Sequence, residues 1–477
     1  MLFYLVMGYW LLSVAIGIMT VKKVHNSRDY AIAGRHLPFY MVTATVFATW
    51  FGSETVLGIS SEFLKGGFAN IIADPFGSAL CLILVGLFFA GPLYKMKLLT
   101  IGDYYKIRYG RKVEVITSLA IIVSYLGWVA AQITALGLVF NVISGGQITK
   151  EWGMWFGMST VLLYTVFGGM WAVAVTDFIQ MIVVCFGLLY IGYDFSTTVG
   201  GVGPILAQAS AEGKFNFFAG NSTLSLLDYL LFIGTLSTMM LGSIPQQDVF
   251  QRVQSAKNEF TAKWASVLGG MLYFGFAFIP LFIAYSANWI DKSIVDKYLE
   301  SDSQMILPQL ILTHAPFVVQ VLFFGALLSA IKSCASATLL APSVSLTENI
   351  LKPILFKNQT FIDKKMLLTM RIVTVIFSIV VTLYAMYSEL SIFSMVENAY
   401  QSTLVIAFVP LVFGLYWKRA NKYGAYSAIT LGVVTWIGLS LIGFETLQPH
   451  FCGLIAATIG MIVGSLVKKE NPPIEVK

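Results

Sequence analysis

The chain is 477 residues long, 57% hydrophobic and only 11% charged, with a mean hydropathy of +0.79 and a formal net charge of +6. Soluble domains carry about 25% charged residues, so a chain of this length lacks the polar surface that several water-soluble domains would need. Composition excludes a soluble enzyme and predicts an all-α polytopic membrane protein.

A membrane crossing needs about 20 predominantly apolar residues. Thirteen such stretches are predicted, at roughly 1–21, 38–60, 71–94, 113–143, 153–172, 174–196, 226–250, 264–289, 316–350, 367–388, 391–417, 424–444 and 450–467. They are continuously apolar, unlike the alternating ten-residue strands of a membrane barrel. The basic residues Lys22, Lys23, Arg28 and Arg35 follow the first stretch instead of preceding it, which predicts a retained helix and not a cleaved signal. With the N-terminus outside, 24 of the 30 basic residues fall in inner segments, so the positive-inside rule predicts 13 crossings with the C-terminus in the cytoplasm. The positive charge therefore reads as a topology signal and calls for no nucleic-acid partner. Cys81, Cys185, Cys334 and Cys452 lie inside predicted spans without metal-ligand spacing. No phosphate-binding glycine loop is present, which disfavours an ATP-driven pump and leaves an ion gradient or diffusion as the driving force.

Polar groups inside apolar spans are costly, so they carry the functional information. In the second stretch, Gly52-Ser53-Glu54-Thr55 interrupts an apolar run, which predicts a broken helix whose unwound backbone lines a cavity. In the seventh, Gly242-Ser243-Ile244-Pro245-Gln246-Gln247-Asp248 reads as a second break, with Gln246 toward the cavity and Arg252 in the following inner loop. Two breaks at corresponding places point to two inverted halves. In the ninth, Ala330, Ser333, Cys334 and Ala337 share one helical face, suited either to a Na⁺ site or to a small-residue packing seam. Asp177, at the start of the sixth stretch, is read alone as a helix-terminal charge facing inner water.

These segments resemble the sodium:solute symporter family over roughly residues 1–465. The resemblance rests on Asp29-Tyr30-Ala31-Ile32-Ala33-Gly34-Arg35, on Tyr164–Gln180 ending Thr176-Asp177-Phe178-Ile179-Gln180, and on Phe250-Gln251-Arg252-Val253. It also takes in Ser329-Ala330-Ile331-Lys332-Ser333 and Gly414-Leu415-Tyr416-Trp417-Lys418-Arg419. It implies a LeuT-like five-plus-five inverted repeat with one extra N-terminal and two extra C-terminal helices. The boundaries it implies are 1–37 for the extra helix and inner loop, 38–196 for the first repeat, 197–225 for an outer loop, 226–417 for the second repeat and 418–477 for the last helices and tail. It further implies a Na⁺ site at Ala48, Phe51, Ala330, Ser333 and Cys334, where a thiol replaces the usual hydroxyl. Asp177 and Ser336 match a second ion position, at which Ala337 supplies no hydroxyl, so one Na⁺ per cycle is expected. Lys332 departs from the family pattern. Helical geometry points it away from the ion face, toward a carboxylate such as Glu397 or toward the interface.

The residues expected to line the solute cavity are Trp50, Ser53, Glu54, Thr55, Trp128, Gln132 and Gln246. Several segments resemble the choline-transporter-like branch, but Gln246 and Ser78 stand where that branch has Trp and Tyr. Half of an aromatic cage is therefore expected to be missing. The more polar pocket, with Glu54 and two glutamines, suits an amino acid, a polyol or another hydrogen-bonding solute instead. The solute is expected to be a small polar organic molecule, an amino acid, choline-like or related. The expectation is a Na⁺-coupled symporter in the plasma (inner) membrane, a monomer or weak homo-oligomer, with no cofactor beyond the coupling ion. Because of Cys334 and Lys332, an H⁺-coupled or uncoupled carrier is the first alternative. A transporter-fold receptor, a channel and, last, a membrane enzyme follow.

Overall fold

The computed structural model describes residues 1–218, 223–356 and 363–468. Of the basic residues assigned to the inner side, Lys357, Lys469 and Lys477 lie outside these, as does part of the expected outer loop. Among the described residues the chain is helical, because in lipid every backbone N–H and C=O must be satisfied within the protein and a helix does so within one segment. The elements that matter below are α1 (Leu2–Lys23), α2 (Phe39–Trp50), α3 (Glu54–Lys95), α4 (Arg111–Ile143), α5 (Lys150–Thr198), α6 (Leu226–Gly242), α7 (Gln247–Ser255), α8 (Glu259–Ile290), α9 (Phe317–Leu355), α10 (Asp363–Tyr387), α11 (Ile392–Tyr416), α12 (Lys422–Leu441) and α13 (Pro449–Val467).

By length and hydropathy ten of these helices can cross a membrane, or eleven if α6 and α7, bent by 48° at a short break, make one crossing. The thirteen predicted stretches thus map onto fewer and longer runs. α3 takes in the end of the second stretch and the whole third, and α5 joins the fifth and sixth into 49 residues. Neither run is straight. Gly67 (φ +66°) and Asp74 (φ −140°, ψ 124°) interrupt α3, and Gly169 (φ +49°, ψ −142°) interrupts α5.

α9 and α4 form the centre of the bundle: 72% of the apolar window of α9 and 67% of that of α4 are buried, against 28% in α1 and α12 at the periphery. α9 packs along α5 and α4, α2 lies between α8 and α5, and α12 packs chiefly on α13. The ends of the two interrupted helices are tied together at one pole. Leu37 N–H donates to the Ser255 carbonyl and Lys257 N–H to the Leu37 carbonyl, both at 3.0 Å. Arg35 donates to Gln254 Oε1 at 2.6 Å and stacks over the Tyr94 ring.

Gly169 is required where it stands. A Cβ there would sit 2.5 Å from the Tyr30 carbonyl oxygen, in a backbone conformation that side chains rarely adopt. Gly169→Ala is expected to destabilise the fold by about 2 kcal/mol or more, seen as an earlier midpoint in thermal melting of the purified protein. An unchanged midpoint would mean that the kink is not needed.

Candidate functional site

The site is built around the interruption between α2 and α3. α2 ends at Trp50, and Phe51 leaves the helical region with ψ 75°. A helix end leaves its last carbonyls without intrahelical partners and carries partial negative charge. Phe47 O accepts from Phe51 N–H, so the carbonyls of Ala48, Thr49 and Trp50 form the open end. Side chains repair part of the break: Gln132 Oε1 on α4 accepts from Ser53 N–H at 2.9 Å, and Thr55 Oγ1 donates back to the Trp50 carbonyl at 3.1 Å.

On one side of the break lies Glu54, 2% exposed. Its Oε2 accepts from Gln132 Nε2 at 2.6 Å and its Oε1 from Trp128 Nε1 at 3.2 Å. Among the described residues no basic side chain pairs with it. Aromatic rings surround the position: Trp50 stacks on Tyr400 at 6.1 Å, Trp128 meets both edge-on at 5.4 and 5.5 Å, and Tyr125 stacks on Trp128 at 6.0 Å. Gly52 lets these parts meet, since a Cβ there would lie 2.5 Å from Glu54 Oε2 and 2.9 Å from both Cys334 Sγ and Gln132 Oε1. Of the expected solute residues, Trp50, Ser53, Glu54, Trp128 and Gln132 are thus brought together. Gln246 caps the adjacent layer, donating to Ser124 Oγ at 2.9 Å, one turn below Trp128. Thr55 turns the other way, toward Tyr273 at 3.1 Å. Tyr125 and Tyr400, which the sequence reading passed over, add two aromatic faces beside Trp128.

On the other side, Asp177 is fully buried on α5 and accepts from Ser333 Oγ at 2.5 Å and from Thr45 Oγ1. It therefore joins α5 to α9 and α2, which corrects its reading as a charge facing inner water. Ser333 spends its only proton on Asp177, leaving its oxygen lone pairs for a cation. Phe51 and Ala330 face each other across a closed apolar seam that also includes Val56, Val184 and Leu327. Cys334, one residue on, directs its thiol to Glu54 Oε1 at 3.9 Å, toward the aromatic side. Ser336 Oγ donates within its own helix, to the Ser333 carbonyl at 3.0 Å.

Two further expectations are corrected. Lys332 neither pairs with Glu397 nor reaches the interface. It is fully buried, donates to Ser13 Oγ at 2.5 Å and lies over the rings of Tyr164 and Trp10 at 4.7 and 5.4 Å. The small residue Ser13 on α1 leaves room for the long side chain, and cation–π contact offsets its desolvation. Arg252 is not in an inner loop but on α7, 1% exposed, donating to the Asp248 carbonyl at 3.0 Å. Asp248 in turn accepts from Tyr125 at 2.5 Å. The spacing of Asp248 and Arg252, one turn apart in a segment that also carries three glutamines, is the signal that could have revealed a buried polar helix.

The chain as a whole resembles known transporters. The high-affinity choline transporter 1 of Torpedo marmorata is 28% identical over 442 residues, covering 89% of this chain and 74% of the relative. The osmoregulated proline transporter OpuE of Bacillus subtilis is 24% identical, covering 97% and 94%, and the sodium/proline symporter of Escherichia coli 25%, covering 96% and 91%. Among solved structures, a Na⁺-coupled sialic acid symporter in its substrate-bound, outward-open state matches with a TM-score of 0.84 at 20% identity, over 99% of both chains. The nucleobase-cation-symport-1 family transporter Mhp1, closed around bromovinylhydantoin, matches with a TM-score of 0.62 at 13% identity, over 94% of this chain and 97% of Mhp1. Residues 30–432 match the sodium:solute symporter family, and the chain belongs to that family of transporters, with a LeuT-like fold.

Proposed function

We propose that this transporter carries a small solute bearing a positively charged nitrogen, together with Na⁺, by alternating access. The observation that supports this most is Glu54, a buried carboxylate without a basic partner, set among the faces of Trp50, Trp128 and Tyr400. An unpaired carboxylate in a dry site is costly unless a cation joins it. An ammonium group satisfies both the charge and the aromatic faces. Choline and proline, which relatives' names mention, both carry such a nitrogen.

Na⁺ is read as the coupling ion, held by the carbonyls of Ala48, Phe51 and Ala330 and by the Ser333 hydroxyl, with Cys334 on the solute flank of the set. Asp177 orients Ser333 and supplies negative charge nearby. The open carbonyl end of α2 favours a cation there. Ser336 bonds its own helix, which fits a single Na⁺ per cycle.

The reading extends to thirteen crossings, N-terminus outside and C-terminus in the cytoplasm, in the plasma membrane. The 42- and 49-residue runs α3 and α5 are each long enough for two crossings and each is interrupted, which supports that count. The inverted halves are then 38–196 and 226–417, joined through 197–225 and flanked by 1–37 and 418–477.

In proteoliposomes, radiolabelled choline or proline is expected to enter at least tenfold faster with an inward Na⁺ gradient than without one. Equal rates for both solutes would overturn the coupled reading. Glu54→Gln keeps the shape and removes the charge, so it should raise the half-saturating concentration of a cationic solute about tenfold or more, with a smaller effect on Na⁺. Ser333→Ala should do the reverse, raising the Na⁺ needed for half-maximal uptake about tenfold, since an ion ligand and the donor to Asp177 are lost together. Identical shifts from both variants would argue against two separate sites.

A further inference from the structure

We infer that Asp74, which faces the other flank of the helix break and touches none of the residues read as ion ligands, is a proton-binding site that closes the solute chamber. The inference goes beyond the proposed symport and depends neither on the solute nor on Na⁺.

Three oxygen contacts run in line from this residue. Asp74 Oδ1 meets the Tyr273 hydroxyl, that hydroxyl lies 3.1 Å from Thr55 Oγ1, and Thr55 Oγ1 lies 3.1 Å from the Trp50 carbonyl. A carbonyl has no proton to give, so Thr55 spends its own on Trp50. Tyr273 also owns one proton. With Asp74 ionised, Tyr273 must donate to the carboxylate, and the Thr55–Tyr273 contact then holds two oxygens with no hydrogen between them. With Asp74 protonated, each contact is filled: the carboxylic acid donates to Tyr273, Tyr273 to Thr55, and Thr55 to the Trp50 carbonyl. Three contacts need three protons, and the third can come only from Asp74.

The other carboxyl oxygen points the same way. Asp74 is 1% exposed, and its Oδ2 is buried without a hydrogen-bond partner. Ser78, one turn on, holds its hydroxyl 3.8 Å from Met239 Sδ and is also the one hydroxyl besides Tyr273 placed to donate to Asp74 among the described residues. An acid leaves a neutral carbonyl oxygen bare in that position, whereas a carboxylate would leave a charged one. Among the described residues no basic side chain pairs with Asp74. The titratable groups that face it are Tyr273 on α8 and Glu54 on α3, and repulsion between the two carboxyl groups disfavours both being ionised at once. On α6, the residues against Gly77, three positions on, are Leu236, Met239 and Met240, all uncharged.

The far end of the chain gives the proton its consequence. Trp50 is the last residue of α2, and its indole forms one wall of the aromatic chamber against Trp128 and Tyr400. A filled chain pins the Trp50 carbonyl to Thr55 and α8, holding the break closed. When water reaches Asp74, its O–H bond breaks, the proton passes to water, Tyr273 turns its hydroxyl back to the carboxylate, and the link from α8 to Thr55 is lost. Because one proton is bound in the closed form and released in the open one, the ratio of closed to open protein falls up to tenfold per pH unit as pH rises.

Infrared spectroscopy of the full-length protein in liposomes, at neutral pH with no solute added, tests this directly. The carbonyl stretch of a protonated carboxyl group is expected in the wild type and in Glu54→Gln, and to be absent from Asp74→Asn. In Tyr273→Phe the band should persist but move to higher frequency, because the acid has lost its acceptor. Raising pH should remove the wild-type band along a one-proton curve. A wild-type spectrum with no band that Asp74→Asn removes would overturn the inference. If Asp74→Asn does not fold, an unshifted band in Tyr273→Phe would overturn it instead. A failure of choline and proline uptake would leave these spectra unchanged, so the two proposals stand or fall separately.

Discussion

A helix broken inside a membrane must have its freed backbone groups satisfied by side chains, because lipid offers them nothing. Much of this site follows from that requirement at residues 51–53. Gln132 is on α4 to accept from Ser53 N–H, and Thr55 folds back onto the Trp50 carbonyl. Each repair has a second partner. The amide of Gln132 also donates to Glu54, and the hydroxyl of Thr55 also meets Tyr273. The groups that mend the break are therefore the same groups that place two carboxylates on either side of it. A change in the geometry of 51–53 cannot leave either carboxylate where it was.

Burying Glu54, Asp74 and Asp177 within one bundle raises the question of what balances them. Asp177 has two hydroxyl donors and the charges of Lys332 and Arg252 in its surroundings. Among the described residues Glu54 has two N–H donors and no cation, and Asp74 has hydroxyl donors and no cation. The three sites thus form a series, from a carboxylate compensated by the protein to two that are not. The uncompensated pair flanks the broken helix, where an external cation or a proton has most to gain by binding.

The polar interruption at Gly52–Thr55 was legible in the sequence, because four small or polar residues in an apolar run have few structural uses. Asp74 carries the same kind of signal as Asp177, a single acidic residue in an apolar run, but a lone carboxylate four residues inside a predicted span reads equally well as an end charge. Tyr125, Tyr273 and Tyr400 were out of reach for a different reason. With 22 tyrosines in a chain that is 14% aromatic, a buried tyrosine is the ordinary case, and only packing between distant helices shows which of them share a wall. Arg252 was misplaced because a basic residue near a predicted span end was taken as a loop charge. The short helix α7 is polar along its length and buried all the same, enclosed by neighbouring helices rather than by lipid.

Ion and solute would meet through two consecutive residues of α9. Ser333 and Cys334 are about 100° apart around the helix, so one reaches Asp177 while the other reaches Glu54. Cys334 approaches the unwound segment directly, where Gly52 has no side chain to hold α9 off. A cation drawing Ser333 and the α2 carbonyls together would pull Cys334 and Gly52 toward each other as well, narrowing the space beside Glu54. A solute nitrogen at Glu54 would press on the same contact from the opposite flank. On the proposed assignment neither occupant would need to touch the other for their affinities to be linked, because each would press α9 against the same short break.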